Sequence, residues 1–180
     1  MPANLSQQLQ QVVQESFFRE KSFLQRLKKG GLTRDENQIS HFCVYFPAFD
    51  PVAREIFLGH HKKSDLWLVN GGHIDKGELL EDTLQREMKE EWGRVIAWRR
   101  PLRPDLLTLT KIVNNPVGRP CRYHYDLWFF ISVDKAKFKP DPKLLAEEFF
   151  ATKWLSLAAS RRRVTDPNTL TAIKFLEATT

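Results

Sequence analysis

Glu87, Glu90 and Glu91 stand at i, i+3 and i+4, a spacing that on a helix projects all three carboxylates from one face. Three like charges this close repel one another, and Lys89 falls on another side of the helix, where it cannot neutralise them. A hard divalent cation can: Mg²⁺ or Mn²⁺ takes carboxylate oxygens and keeps positions open for water and phosphate. Arg86 lies at i+4 from Glu90 and can reach back towards Glu78, fixing carboxylate orientation as an outer partner. Gly71-Gly72 ends a strand-like run, lets the backbone turn without a Cβ clash, and can present a carbonyl to the metal. A solvated acidic face is the plain alternative. It does not explain why the Gly, Glu, Arg-Glu and Glu-Glu-x-Gly elements all fall at fixed intervals across one strand-loop-helix unit.

The elements that must hold these residues can be read from periodicity. Leu80, Leu84 and Met88 lie on one face of a helix predicted over Leu80 to Trp92, with Gly93 as its stop. Leu66 to Val69 reads as the strand that runs into the glycines. His41 to Phe46 and Glu55 to Gly59 are short strands joined by turn chemistry through Pro47 to Pro51, which predicts a hairpin. Leu106 to Val113 and Tyr123 to Val133 are strands flanking a Pro/Gly loop from Asn115 to Pro120. Phe149 to Leu155 is a further strand, and Asn168 to Ala178 a closing helix. Ahead of all these, Asn4 to Lys29 is helical, with Leu5, Leu9, Val12, Val13 and Phe17 on one face, a break near Ser16 and a stop at Gly30-Gly31. Strands with a few interspersed helices give an α+β or α/β sandwich.

The composition agrees with a globular domain. The 180 residues are 42% hydrophobic and 28% charged, enough for one core and an appendage. No apolar run approaches the ~20 residues that span a bilayer, and Met1 to Gln11 is polar, without a secretory pattern. Cys43 and Cys121 are far apart, each in an apolar run, and read as small buried hydrophobes rather than a metal knuckle or redox pair. A cytoplasmic setting is the expectation. The net charge of +6 fits attraction of nucleotides or RNA, but the basic residues are spread over Arg19 to Lys29, Lys135 to Lys143 and Arg161 to Arg163.

The stretch from Gly72 to Gly93 resembles the Nudix box: glycine, five residues, Glu, seven residues, then Arg-Glu-hydrophobic-x-Glu-Glu-x-Gly-hydrophobic. Every fixed position is met up to Gly93. Arg94 departs from the family's aliphatic residue, and Val95 or Ile96 would supply that packing. Trp67 before the double glycine and Trp154-Leu155 in a late strand are also similar to Nudix domains.

The resemblance implies an α+β fold, an α/β/α sandwich around a mixed sheet, with residues 1–34 as an N-terminal helical extension and 35–180 as the Nudix hydrolase domain. It implies hydrolysis of a nucleoside diphosphate linked to another group, using Mg²⁺ or Mn²⁺. Glu87, Glu90, Glu91 and the Gly72 carbonyl would hold metal, with Arg86 and Glu78 orienting them. The general base varies in the family; Glu147 and Glu148 lie where a late-loop acid occurs, although two solvated carboxylates at a helix end are the simpler reading. His60-His61 with Lys62-Lys63 suit phosphate, metal or a plain surface loop. His73 falls in the active-site loop. Of His124 and Tyr125, alternation sends one to a base-stacking position and one to the core.

Four functions compete. The leading one is a hydrolase of a small nucleotide: a dNTP, a nucleotide sugar, ADP-ribose or a dinucleoside polyphosphate. The second is an RNA 5′-pyrophosphohydrolase, which the basic charge permits. A non-catalytic nucleotide-binding module of the same fold would have lost metal carboxylates, and all are present. An isopentenyl-diphosphate isomerase would need an active-site cysteine, which the flanks of Cys43 and Cys121 do not support. The N-terminal helical segment either packs on its own domain or bridges two chains as a homodimer.

Overall fold

The computed structural model describes residues 4–16, 21–97, 102–112 and 120–180. Phe17, Val113 and the loop from Asn115 lie outside these. The elements are α1 (Leu5–Glu15), α2 (Lys21–Leu27), β1 (Ser40–Tyr45), β2 (Ala48–Asp50), β3 (Glu55–His61), β4 (Leu66–Leu68), β5 (Gly71–His73), α3 (Leu80–Trp92), β6 (Leu106–Lys111), β7 (Tyr123–Trp128), β8 (Ile131–Ser132), α4 (Pro142–Glu148), β9 (Phe149–Ser156), α5 (Leu157–Arg163) and α6 (Pro167–Thr179). The class is α+β, as expected. No helix among the described residues is long and apolar enough to cross a membrane.

The chain forms two compact units, each built from separated stretches. The first comprises Met1–Val44, Gly72–Leu84 and Arg99–Phe129. Its sheet has the order β5-β1-β7-β6, with β6 and β7 antiparallel. Helix α1 starts where the Asn4 side chain accepts from the Gln7 amide, and it buries Leu9, Val12 and Val13. It also holds the start of α3, because the Gln8 side chain accepts the Leu80 N–H at 2.8 Å. In α2, Phe23 packs edge-on against Tyr125 and Phe42. The buried Arg26 guanidinium donates to the carbonyl of Gly30 at 2.7 Å and to the Ser40 hydroxyl at 2.9 Å, tying α2 to the start of β1.

The second unit comprises Tyr45–Gly71, Gln85–Trp98 and Phe130–Thr180. Strand β3 pairs antiparallel with β2, β4 and β9, and β2 pairs in parallel with β8, so this sheet is mixed. Its core is aromatic: Phe138 meets Trp92, Phe57 and Trp154 with ring centroids 5.0–5.7 Å apart, and Phe46 meets Trp92 at 4.9 Å.

Three expectations change. The partner of β3 in the hairpin is β2, not the His41 to Phe46 strand, which joins the other sheet. The turn is Pro51 to Arg54, closed by the Asp50 carboxylate accepting the Val52 and Ala53 amides at 2.9 Å each. The run from Tyr123 to Val133 is two strands in two sheets, divided at Phe129-Phe130. Helices α4 and α5 add to the elements that periodicity predicts. Each is capped by a side chain, Asp141 before Pro142 in α4 and Ser156 in α5.

Candidate active site

Helix α3 carries the acidic cluster and has the bounds that its periodicity predicts. Leu80, Leu84, Met88 and Trp92 are all buried, which fixes the rotation of the helix and with it the direction of the carboxylates beside that stripe. Gly93 closes it at a φ of +70°, which an L side chain rarely adopts. Beyond it, Arg94 and Val95 are exposed and only Ile96 is half-buried, so Val95 does not supply the packing expected of that position.

The three glutamates are not equivalent. Glu87 and Glu91, one turn apart, are buried, whereas the side chain of Glu90 is 58% exposed. Arg86 donates to Glu87 at 2.8 Å and to Glu90 at 3.2 Å, bridging the buried and exposed members of the cluster. Glu91 is held from the end of β4 and the start of β5. The Asn70 side-chain amide donates to one carboxylate oxygen, and the Gly71 N–H to the other at 3.3 Å. Nothing local in the sequence marks Asn70, because its partner lies twenty-one positions away.

Burial pushes the Glu91 carboxyl up to about 8; the nearby charges of Glu87 and Glu148 add to the rise, and the bonds from Asn70 and Gly71 only partly offset it. Without a cation, this site therefore retains a proton at neutral pH. Three clustered carboxylates, one of them buried and held by two amides, match a hard divalent cation. Glu148 ends α4 and is half-buried. Burial alone would raise its carboxyl, but the Lys63 ammonium at 2.8 Å and His61 at 3.4 Å hold it below the usual range. Its neighbour Glu147 is exposed. His60 stacks on Trp67 and reaches Asp65 at 2.8 Å.

In the first unit, Gly72 lies on β5 and Glu78 precedes α3. Glu78 accepts from the Thr83 hydroxyl at 2.9 Å and from the Asp75 N–H at 3.2 Å, which fixes the loop leading into the helix. Tyr125 is the core residue of its pair, packed against Phe23 and Phe42. His124 lies with His41, His73 and Cys121. Burial lowers His41, and burial reinforced by His41 pushes His124 down to about 3, so both rings are neutral; burial also raises the Cys121 thiol. Cys43 is the small buried residue expected, but Cys121 is half-buried and its sulfur meets ring nitrogens. A second polar group is buried on β6 and β7, where Asp126 accepts from the Thr108 hydroxyl, which accepts in turn from Trp128.

A family model described as the NUDIX domain matches residues 29–176. An uncharacterised Nudix hydrolase of Nostoc sp. is 28% identical over 85 residues, which span 47% of this chain and 43% of that relative. Among solved structures, a NUDIX-family hydrolase from Clostridium perfringens superposes with a TM-score of 0.57 at 22% identity, over 78% of this chain and 98% of that one. The dihydroneopterin triphosphate pyrophosphohydrolase of E. coli gives 0.54 at 16% identity, over 74% and 92%.

Proposed function

The chain belongs to the Nudix family, and from that premise we propose that it is a divalent-metal-dependent hydrolase cleaving the diphosphate linkage of a small nucleoside diphosphate derivative. The observation that carries the reading is the buried Glu87–Glu91 pair, with Glu91 gripped by Asn70 and Gly71 and its ionisation opposed by burial. Glu87, Glu90, Glu91 and the Gly72 carbonyl would hold Mg²⁺ or Mn²⁺. When bound, the cation neutralises diphosphate oxygens and lowers the pKa of water.

The chain's own residues supply the rest. Arg86 donates to Glu87 and Glu90 and so limits how those carboxylates turn. Glu78, held by Thr83 and the Asp75 amide, keeps the entry loop in one conformation. Glu148 is the better candidate for the base, since its charge is felt at Glu91 and it is already ionised by its pairing with Lys63. Its carboxylate would take the proton of the attacking water.

A Mg²⁺-dependent screen tests this against dNTPs, nucleotide sugars, ADP-ribose, dinucleoside polyphosphates, and triphosphorylated and capped RNA. Turnover of a small nucleotide is expected. Glu91→Gln or Glu90→Gln should lower kcat by about 10²-fold or more, with circular dichroism unchanged. Hydrolysis confined to RNA ends would move the substrate class to RNA, and no hydrolysis of any compound would leave a binding module.

A further inference from the structure

We propose that His41, His73, Cys121 and His124 form a second metal site, a closed four-ligand site for a borderline-soft transition ion such as Zn²⁺. One ligand atom from each of the four lies within 4.8 Å of each of the others. The three imidazoles make a nearly equilateral triangle, with ring centroids 4.9, 5.0 and 5.1 Å apart. The Cys121 sulfur completes the group, 2.7 Å from Nε2 of His124 and 3.5 Å from Nε2 of His41. A tetrahedral ion with bonds of about 2.0–2.1 Å to nitrogen and 2.3 Å to sulfur keeps its ligand atoms about 3.3–3.6 Å apart. The widest pair therefore closes by about 1–1.5 Å and the Cys121–His124 pair, at 2.7 Å, opens by somewhat less, both small side-chain rotations.

Tautomer geometry points the same way. Nδ1 of His41 lies 2.9 Å from the Asn37 carbonyl, which can only accept, so this nitrogen carries the proton. The Nε2 lone pair is left on the side where Cys121 lies. A ring hydrogen-bonded through its far nitrogen to a carbonyl is the outer partnership by which ligating histidines are fixed.

The four residues come from three places in the chain. His41 is on β1, His73 on β5, and Cys121 with His124 at the entry to β7. Their donor set of three nitrogens and one sulfur is ill-suited to Mg²⁺ and suited to zinc, cobalt or copper. A neighbouring group, Cys43, His124 and Asp126, shares one histidine, but its Asp126 is engaged by the Thr108 and Thr110 hydroxyls. With all four positions filled by protein, the ion serves as a clamp across β1, β5 and β7. One of these strands carries Gly72.

The experiment uses the full chain without an affinity tag, stripped by chelator and titrated with Co²⁺ in excess Mg²⁺. The expected result is saturation at one equivalent, with the visible bands of a tetrahedral ion and a thiolate-to-cobalt charge-transfer band. Cys121→Ser should abolish the charge-transfer band and Cys43→Ser should keep it. His124→Ala should weaken binding about tenfold or more. Glu91→Gln should bind Co²⁺ as the parent does, which separates this site from the carboxylate cluster. Zn²⁺ should also raise the Tm of the unsubstituted chain, a readout that depends on no variant. Absence of a charge-transfer band in the unsubstituted chain, a band lost with Cys43 but kept without Cys121, or a Tm indifferent to Zn²⁺ overturns the proposal.

Discussion

Glu91 concentrates the electrostatic cost of the acidic cluster. Its carboxyl titrates near 4.5 in an open chain and at about 8 in the fold, so between these values the folded protein holds a proton that the unfolded chain has released. Stability attributable to this group is complete below about pH 4.5 and is lost as pH rises through about 8. In EDTA, the Tm should therefore fall across this window more steeply for the parent than for Glu91→Gln, and Mg²⁺ should restore the parent near neutrality. Equal slopes for the two proteins would remove Glu91 as the source. Glu147 and Glu148 were indistinguishable as adjacent carboxylates in the sequence; one is exposed, the other is paired and coupled to Glu91. Glu148→Gln should lower kcat by about 10²-fold with Mg²⁺ affinity retained, and Glu147→Gln should change it by less than about threefold. Steady-state kinetics of the two side by side decides the matter. The box residues were legible because a helix relates positions by short, fixed spacing. Asn70 and the histidine cluster were not, since strand pairing joins residues far apart in the chain.

Among the elements, α3 was the most legible. Its apolar stripe, acidic first turn and terminal glycine all agree on the same bounds. The hairpin is hidden in the sequence because Pro47 to Pro51 contains both turn residues and a strand, Ala48–Asp50, too short to announce itself. The long apolar run after Tyr123 hid its break for a different reason: hydrophobicity continues through Phe129 and Phe130 while pairing changes sheets. Gly59 illustrates a requirement visible only in three dimensions. A Cβ there would stand 2.2 Å from a ring carbon of Phe149 on the paired strand β9. Gly59→Ala should cost about 1–3 kcal/mol by forcing that ring aside. A denaturant midpoint equal to the parent's would show that the ring moves freely.

Taken entire, the chain has one family match from 29 to 176 but two contact units made of interleaved stretches. Composition foretells a globular protein and periodicity an α+β one, yet neither foretells which stretches associate, because that depends on contacts rather than on content. Charge behaves similarly. The net +6 was legible, whereas the gathering of Lys153, Arg162 and Arg163 around a cavity of about 310 Å³, with Arg163 lying 4.6 Å over the Trp67 ring, was not. The pairing of β3 with β9 has a register shift: His60 faces Ala151 and His61 faces Phe149, leaving Phe150 as a supernumerary, 63% exposed residue. That extra residue works as a spacer setting the reading frame of everything just upstream, including Phe149 over Gly59 and Glu148 beside Lys63. A lineage that lost one codon at position 150 would retain every side chain assigned to chemistry and yet present Glu148 out of phase.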